Sequence, residues 1–138
     1  MGRTIVIGDL HGCHDEAVEL MRRTPWPGSI YELYAVRVFV RAGFKAEAEQ
    51  AYGRLAGGAN SAAKYFGLAI LGRAEEALAA MDPALMHTQP WSDVLFDSAF
   101  DPIRADPRFV KLLATLGMNE AHARAQAWRA AHPAPKAK

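Results

Sequence analysis

Apolar positions change period along the chain, and the changes divide it into units. The first run, Thr4-Ile5-Val6-Ile7, is β-branched and stops at Gly8, which predicts a short strand feeding a polar loop. From His14 the spacing becomes helical. Ala17, Val18, Leu20 and Met21 share one face of a helix ending near Arg23, and Asp15 and Glu16 occupy its first turn, where carboxylates complement the helix dipole. Thr24-Pro25-Trp26-Pro27-Gly28-Ser29 cannot continue a helix and reads as a turn or linker. Ser29 suits the N-cap of the next helix, with Glu32 three residues later completing a capping box.

Beyond residue 29 the pattern repeats itself. Setting Gly43 on Gly72, an offset of 29, superposes Val36 on Tyr65, Phe39 on Leu68, Ala48 on Ala77, Ala51 on Ala80 and Tyr52 on Met81. Each copy is an apolar helix, a glycine suited to the position just past its end, and a second helix with an alanine five residues after that glycine. The small alanine lets the second helix approach the first closely, while Phe39, Tyr52, Leu68 and Met81 fill the space between layers. Val36-Arg37-Val38-Phe39-Val40 taken alone is β-branched enough for a strand, but the continuous run from Ile30 to Ala42, closed by Gly43, favours a helix.

Asp82-Pro83 stops the second copy, and the chain through Trp91 reads as loop or short helix. Further on, Asp106 can N-cap a helix that has Pro107 at its first position and Phe109, Leu112, Leu113 and Leu116 on one apolar face. Arg104 and Arg108 are placed to pair with Asp101 or Asp106 and fix the turn before that helix. An Ala-rich helical stretch follows from Asn119, with Trp128 expected to anchor it, and the tail past Pro133 is expected to be disordered.

Composition narrows the class without naming a function. With 51% hydrophobic and 22% charged residues, 138 residues suffice for one ordinary core. A formal net charge of +1 gives no electrostatic footprint for nucleic acid or an anionic membrane. The lone Cys13 rules out an internal disulfide and fits a reducing compartment. No segment reads as a signal peptide or reaches transmembrane length, so the expectation is a cytoplasmic protein.

Two strings carry resemblances. Gly8-Asp9-Leu10-His11-Gly12-Cys13, after Thr4-Ile5-Val6-Ile7, resembles the first motif of the calcineurin-like metallophosphoesterases, the branch holding the Ser/Thr phosphoprotein phosphatases and the bacterial dinucleotide tetraphosphatases. The resemblance implies that Asp9 and His11 are metal ligands, and an oxygen–nitrogen pair suits Mn, Fe or Zn better than Ca. The family's later blocks, an Asp-Arg-Gly string, an Asn-His-Glu string and two further histidines, have no counterpart here. A two-metal site needs a bridging carboxylate and several more ligands, so two ligands predict weak binding. The helical repeat resembles the tetratricopeptide repeat, whose usual period of about 34 residues is shortened here. Phe100-Asp101-Pro102-Ile103-Arg104-Ala105-Asp106-Pro107-Arg108-Phe109 resembles the closing segment of bacterial tetratricopeptide proteins fused to signalling kinases and adenylate cyclases.

The expected architecture is therefore mainly α: a β-loop-α fragment over residues 1–24, a short solenoid of tetratricopeptide-like helix pairs with a capping helix over 29–118, and an Ala-rich helix with a tail over 119–138. The expected function is a scaffold that binds a protein or peptide on the face formed by the first helix of each pair, with Tyr34, Arg37, Arg41, Lys64 and Tyr65 as contact residues. The alternative is a metal-dependent phosphoesterase, vestigial or completed by another chain. The lone strand would need a partner for its backbone groups, and pairing with a second copy in a dimer is one way to supply it.

Overall fold

The computed structural model describes residues 14–23, 31–57, 61–86 and 92–133, and over these the chain is mainly α-helical. The helices are α1 (His14–Arg23), α2 (Tyr31–Ala42), α3 (Lys45–Ala56), α4 (Ser61–Ile70), α5 (Ala74–Ala80), α6 (Pro83–Met86), α7 (Pro107–Thr115) and α8 (Asn119–Ala131). Two 3₁₀ helices, Ser92–Phe96 and Ser98–Ile103, precede α7. Residues 36–40 are helical, which removes their strand reading. The expected strand at 4–7, the linker at 24–29 and the tail past Pro133 fall outside the described residues.

Among the described residues one turn is used three times. Gly43, Gly72 and Gly117 all have φ between 68° and 82°, the left-handed region that a β-carbon disfavours. At the first, Phe44 N–H donates to the Phe39 carbonyl and Gly43 N–H to that of Val40. The same pair recurs as Arg73 to Leu68 with Gly72 to Ala69, and as Met118 to Leu113 with Gly117 to Ala114. Each is a Schellman closure of a helix end. In each, the residue after the glycine at once offers its carbonyl to the next helix: Ala48, Ala77 and His122 donate to Phe44, Arg73 and Met118. Helix, left-handed glycine and helix thus form a three-fold module, α2–α3, α4–α5 and α7–α8. The sequence pattern exposed only its first two copies.

In the first two copies the expected packing holds at the alanine five residues past the glycine, while Tyr52 and Met81 are half-buried and Ala80 is exposed where Ala51 is buried. Ala48 and Ala77 are fully buried, and Val36, Phe39 and Leu68 are buried with them. α2 packs on α1, α3 and α4, and α4 packs on α3 and α5. One apolar cluster joins Val18 and Met21 of α1 to Val36, Phe39, Ala48 and Ala51. A second joins Leu55, Tyr65, Phe66 and Leu68 to Leu95, Phe100, Phe109 and Leu113, and Tyr52 and Ile70 touch both. Where α4 crosses α3, a β-carbon on Gly67 would lie 2.8 Å from Cδ2 of Tyr52, so glycine sets the helix separation.

Glu32 is only 2% exposed; Ser29, its expected partner in a capping box, lies outside the described residues. Oε1 of Glu32 accepts from Nε of Arg54 at 2.8 Å and its Oε2 from Nη2 at 3.0 Å, a two-pronged pair tying α2 to α3. More exposed pairs link successive odd-numbered helices, Arg22 with Glu47, Arg73 at the start of α5 with Glu49, and Arg108 with Glu75, while Arg73–Glu76 and Arg108–Asp106 are local pairs at helix starts. Such pairs contribute little stability each and serve chiefly to fix relative position.

Candidate binding surface

α2 is buried on one side by three other helices, which leaves one outward stripe. Tyr34 and Arg41, seven residues and so two turns apart, lie on that stripe, with Tyr34 55% exposed and Arg41 exposed. Glu32 is the only carboxylate of α2, and it is buried against Arg54, so the stripe carries no negative charge. Arg41 forms no ion pair among the described residues. An aromatic ring and a solvated guanidinium on a rigid helix are the donors and apolar faces that recruit carboxylates and extended backbone.

The other expected contact residues are placed differently. The Arg37 guanidinium donates to Oδ2 of Asp97 at 2.9 Å and lies 5.2 Å over the ring of Phe66, so it clamps α2 to α4 and to the 3₁₀ segment. Lys64 is half-buried on α4. Tyr65 is 3% exposed, its ring 6.3 Å from that of Phe100, so it belongs to the core and not to a contact surface. Helical phase alone misplaced it because α4, unlike α2, is covered on nearly every side by α2, α3, α5 and the second 3₁₀ helix.

A second polar constellation, which sequence reasoning missed, surrounds Arg104 where α8 meets the 3₁₀ helices. Arg104 Nη1 donates to the Leu95 carbonyl at 3.0 Å, and Nη2 to the Phe96 carbonyl at 2.9 Å and the Asp97 carbonyl at 2.5 Å. Nε donates to Oδ1 of Asp101 at 2.5 Å. One guanidinium thereby donates to three successive carbonyls between the two 3₁₀ helices, of which that of Asp97 also accepts from Phe100 N–H. Arg129 of α8 donates to Asp101 at 3.2 Å and to the Phe96 carbonyl. Nε2 of His122 lies 3.2 Å from Nη1 of Arg104, and its ring contacts those of Phe96 and Phe109. Desolvation first, then the charges of Arg104 and Arg129, hold the His122 pKa below the ordinary imidazole value.

Before α7 the sequence signals match the structure. Asp106 N-caps the helix by accepting from Arg108 N–H at 2.8 Å, with Pro107 in the first turn, and Phe109, Leu112 and Leu113 face inward. Arg104 pairs with Asp101 and Arg108 with Asp106, as expected. Trp128 is the exception: it is 62% exposed and stacks on His132 of the same helix end, 4.5 Å between centroids. Arg129, one residue on, makes the contact expected of it.

Asp9 and His11, the expected metal ligands, lie outside the described residues. Among the described residues no group of three or more His, Cys, Asp or Glu side chains could hold a metal ion. No helix among them is long and apolar enough to cross a membrane. Compared with known proteins, the chain matches no family model, no curated protein and no solved structure.

Proposed function

We propose that the chain is a protein- or peptide-binding scaffold, a short solenoid of tetratricopeptide-like helix pairs that receives its partner along the outer stripe of α2. The observation that carries this reading is the pairing of Tyr34 and Arg41 on the outward stripe of a helix whose opposite face is buried and whose one carboxylate is held by Arg54. Tyr34 supplies apolar area at low entropic cost, and Arg41 supplies a two-pronged donor. Arg37, one turn from Tyr34 on the same helix, is engaged by Asp97 and Phe66 at the edge of the stripe. An extended segment bearing a carboxylate is the partner chemistry this face favours.

Selection from a random linear peptide library on the immobilised full chain tests it. We expect enrichment of acidic sequences with an apolar or aromatic neighbour, bound at least about tenfold more weakly by the Tyr34→Ala, Arg41→Glu double variant. Absence of enrichment, or equal binding by the double variant, refutes the assignment.

The second reading, a metal-dependent phosphoesterase, rests on the Gly8–Gly12 string alone. Hydrolysis of an aryl phosphate that requires Mn²⁺ and is lost in Asp9→Ala would support it, and would require the remaining ligands to come from undescribed residues or another chain.

A further inference from the structure

Among the described residues, the Arg104 cluster ties α8 to the 3₁₀ helices through several side chains, and it contains a titratable acceptor. None of the residues of α8 is buried, so the helix lacks the apolar face that holds α2 to α5 in place. Its inward stripe, Ala121, His122, Ala125, Gln126 and Arg129, is half-buried and makes polar contacts through three of its five members. We propose that His122 is a pH-dependent latch: neutral, it docks α8 on Arg104; protonated, it releases the helix and uncovers the apolar end of the bundle.

A guanidinium has no acceptor, so the 3.2 Å contact between Arg104 and Nε2 of His122 exists only when Nε2 carries a lone pair and the proton is on Nδ1. Gln126, whose Nε2 lies 3.4 Å from the same ring nitrogen, can turn its carboxamide over to accept from a protonated ring. Arg104 has no such option and cannot leave, because it is 9% exposed and carries the Leu95, Phe96 and Asp97 carbonyls. Protonation therefore converts a hydrogen bond into a contact between two cations.

The neighbours do not compensate. From α8 itself the ring faces Gln126 and the cation of Arg129; from the 3₁₀ helices, Phe96, Arg104 and Asp101; from α7, the uncharged ring of Phe109. Asp101 is the one carboxylate of this group, and it is already shared by Arg104 at 2.5 Å and Arg129 at 3.2 Å. Glu120 and Arg124, the other charges of α8, pair loosely with each other in solvent. A third cation is left with no counter-charge, and its simplest relief is for α8 to move away. Half-burial of the ring keeps it within reach of solvent protons. Release would bare Phe96 and Phe109, both of which His122 covers.

Hydrogen exchange on the full chain, followed by mass spectrometry at pH 7.5 and pH 5.0 and corrected for intrinsic chemical rates, reads the latch directly. We expect amides of residues 119–131 to lose about tenfold in protection at the lower pH while α2 and α3 keep theirs. In His122→Gln, which retains an acceptor near the position of Nε2 and does not titrate, α8 should be protected equally at both values. An NMR titration of the wild-type ring gives a second reading, expected to show a pKa below 6.5. Protection of α8 that falls no more than that of α3, pH dependence surviving in His122→Gln, or a ring titrating at or above 6.5 would each overturn the proposal.

Discussion

The pairs α4–α5 and α7–α8 enter through the same left-handed glycine and the same two closing hydrogen bonds, yet they are held together by different forces. In α4–α5 the fifth residue after the glycine is Ala77, fully buried, and the second helix lies directly on the first. In α7–α8 that residue is His122, half-buried, and no residue of the second helix is fully buried. A shared turn fixes the direction in which the chain leaves, but the residue one helical turn later decides whether the two helices close on each other. A methyl group permits close approach and the dispersion that comes with it. An imidazole at that place needs polar neighbours, which Arg104 and Gln126 supply.

Removing what joins the two regions should have the largest effect. Phe100 is fully buried and stacked against Phe66 on one side and Phe109 on the other, at centroid distances of 5.6 and 6.0 Å. Phe100→Ala is expected to cost about 3–5 kcal/mol in chemical denaturation. It should also separate the unfolding of α7–α8 from that of α2–α5, and a single transition with unchanged midpoint would contradict this account of the join. The next effect sharpens the contrast at the fifth residue. Ala77→Leu should destabilise by about 1–3 kcal/mol through overpacking. His122→Leu, at the equivalent place, should change global stability by less than about 1 kcal/mol. Equal losses would mean that both pairs are packed alike.

The smallest effect is electrostatic and separates two acid responses by their windows. Arg108, through its guanidinium and its backbone N–H, holds the Asp106 carboxyl down from 3.8 to about 2. Because the folded pKa is depressed, the cap's contribution is fully present above about 3.8 and is lost as pH falls toward 2. Glu75, lowered by the same guanidinium, acts in the same direction. Thermal melts between pH 5 and 2 should therefore show a fall that is shallower in Asp106→Asn. The loss tied to His122 begins higher, below 6.5, and should persist unaltered in that variant.

Local signals were legible in the sequence, and partnerships across the chain were not. The bounds of α1, the helical state of residues 31–42, the two left-handed glycines at 43 and 72, and the Asp106-Pro107 start of α7 each depend on residues within one or two turns, so periodicity and capping chemistry suffice. Glu32 could be assigned only a local role, because Arg54 lies 22 positions away. The third glycine module went unseen because a match on residue size fails at His122. Tyr65 was placed outward and Trp128 inward for one reason: an aromatic on a helix is equally suited to core or rim, and only the coverage of the helix by its neighbours decides. The expected metal pair, Asp9 and His11, depends on a string whose structure is not described.

Gly43 and Gly72 hold the backbone in one conformation, with one pattern of donors and acceptors on either side. A segment cut from the first to the second would therefore begin and end with matching geometry. Tandem duplication of that block would repeat the same turn at each new junction and introduce no new kind of backbone closure.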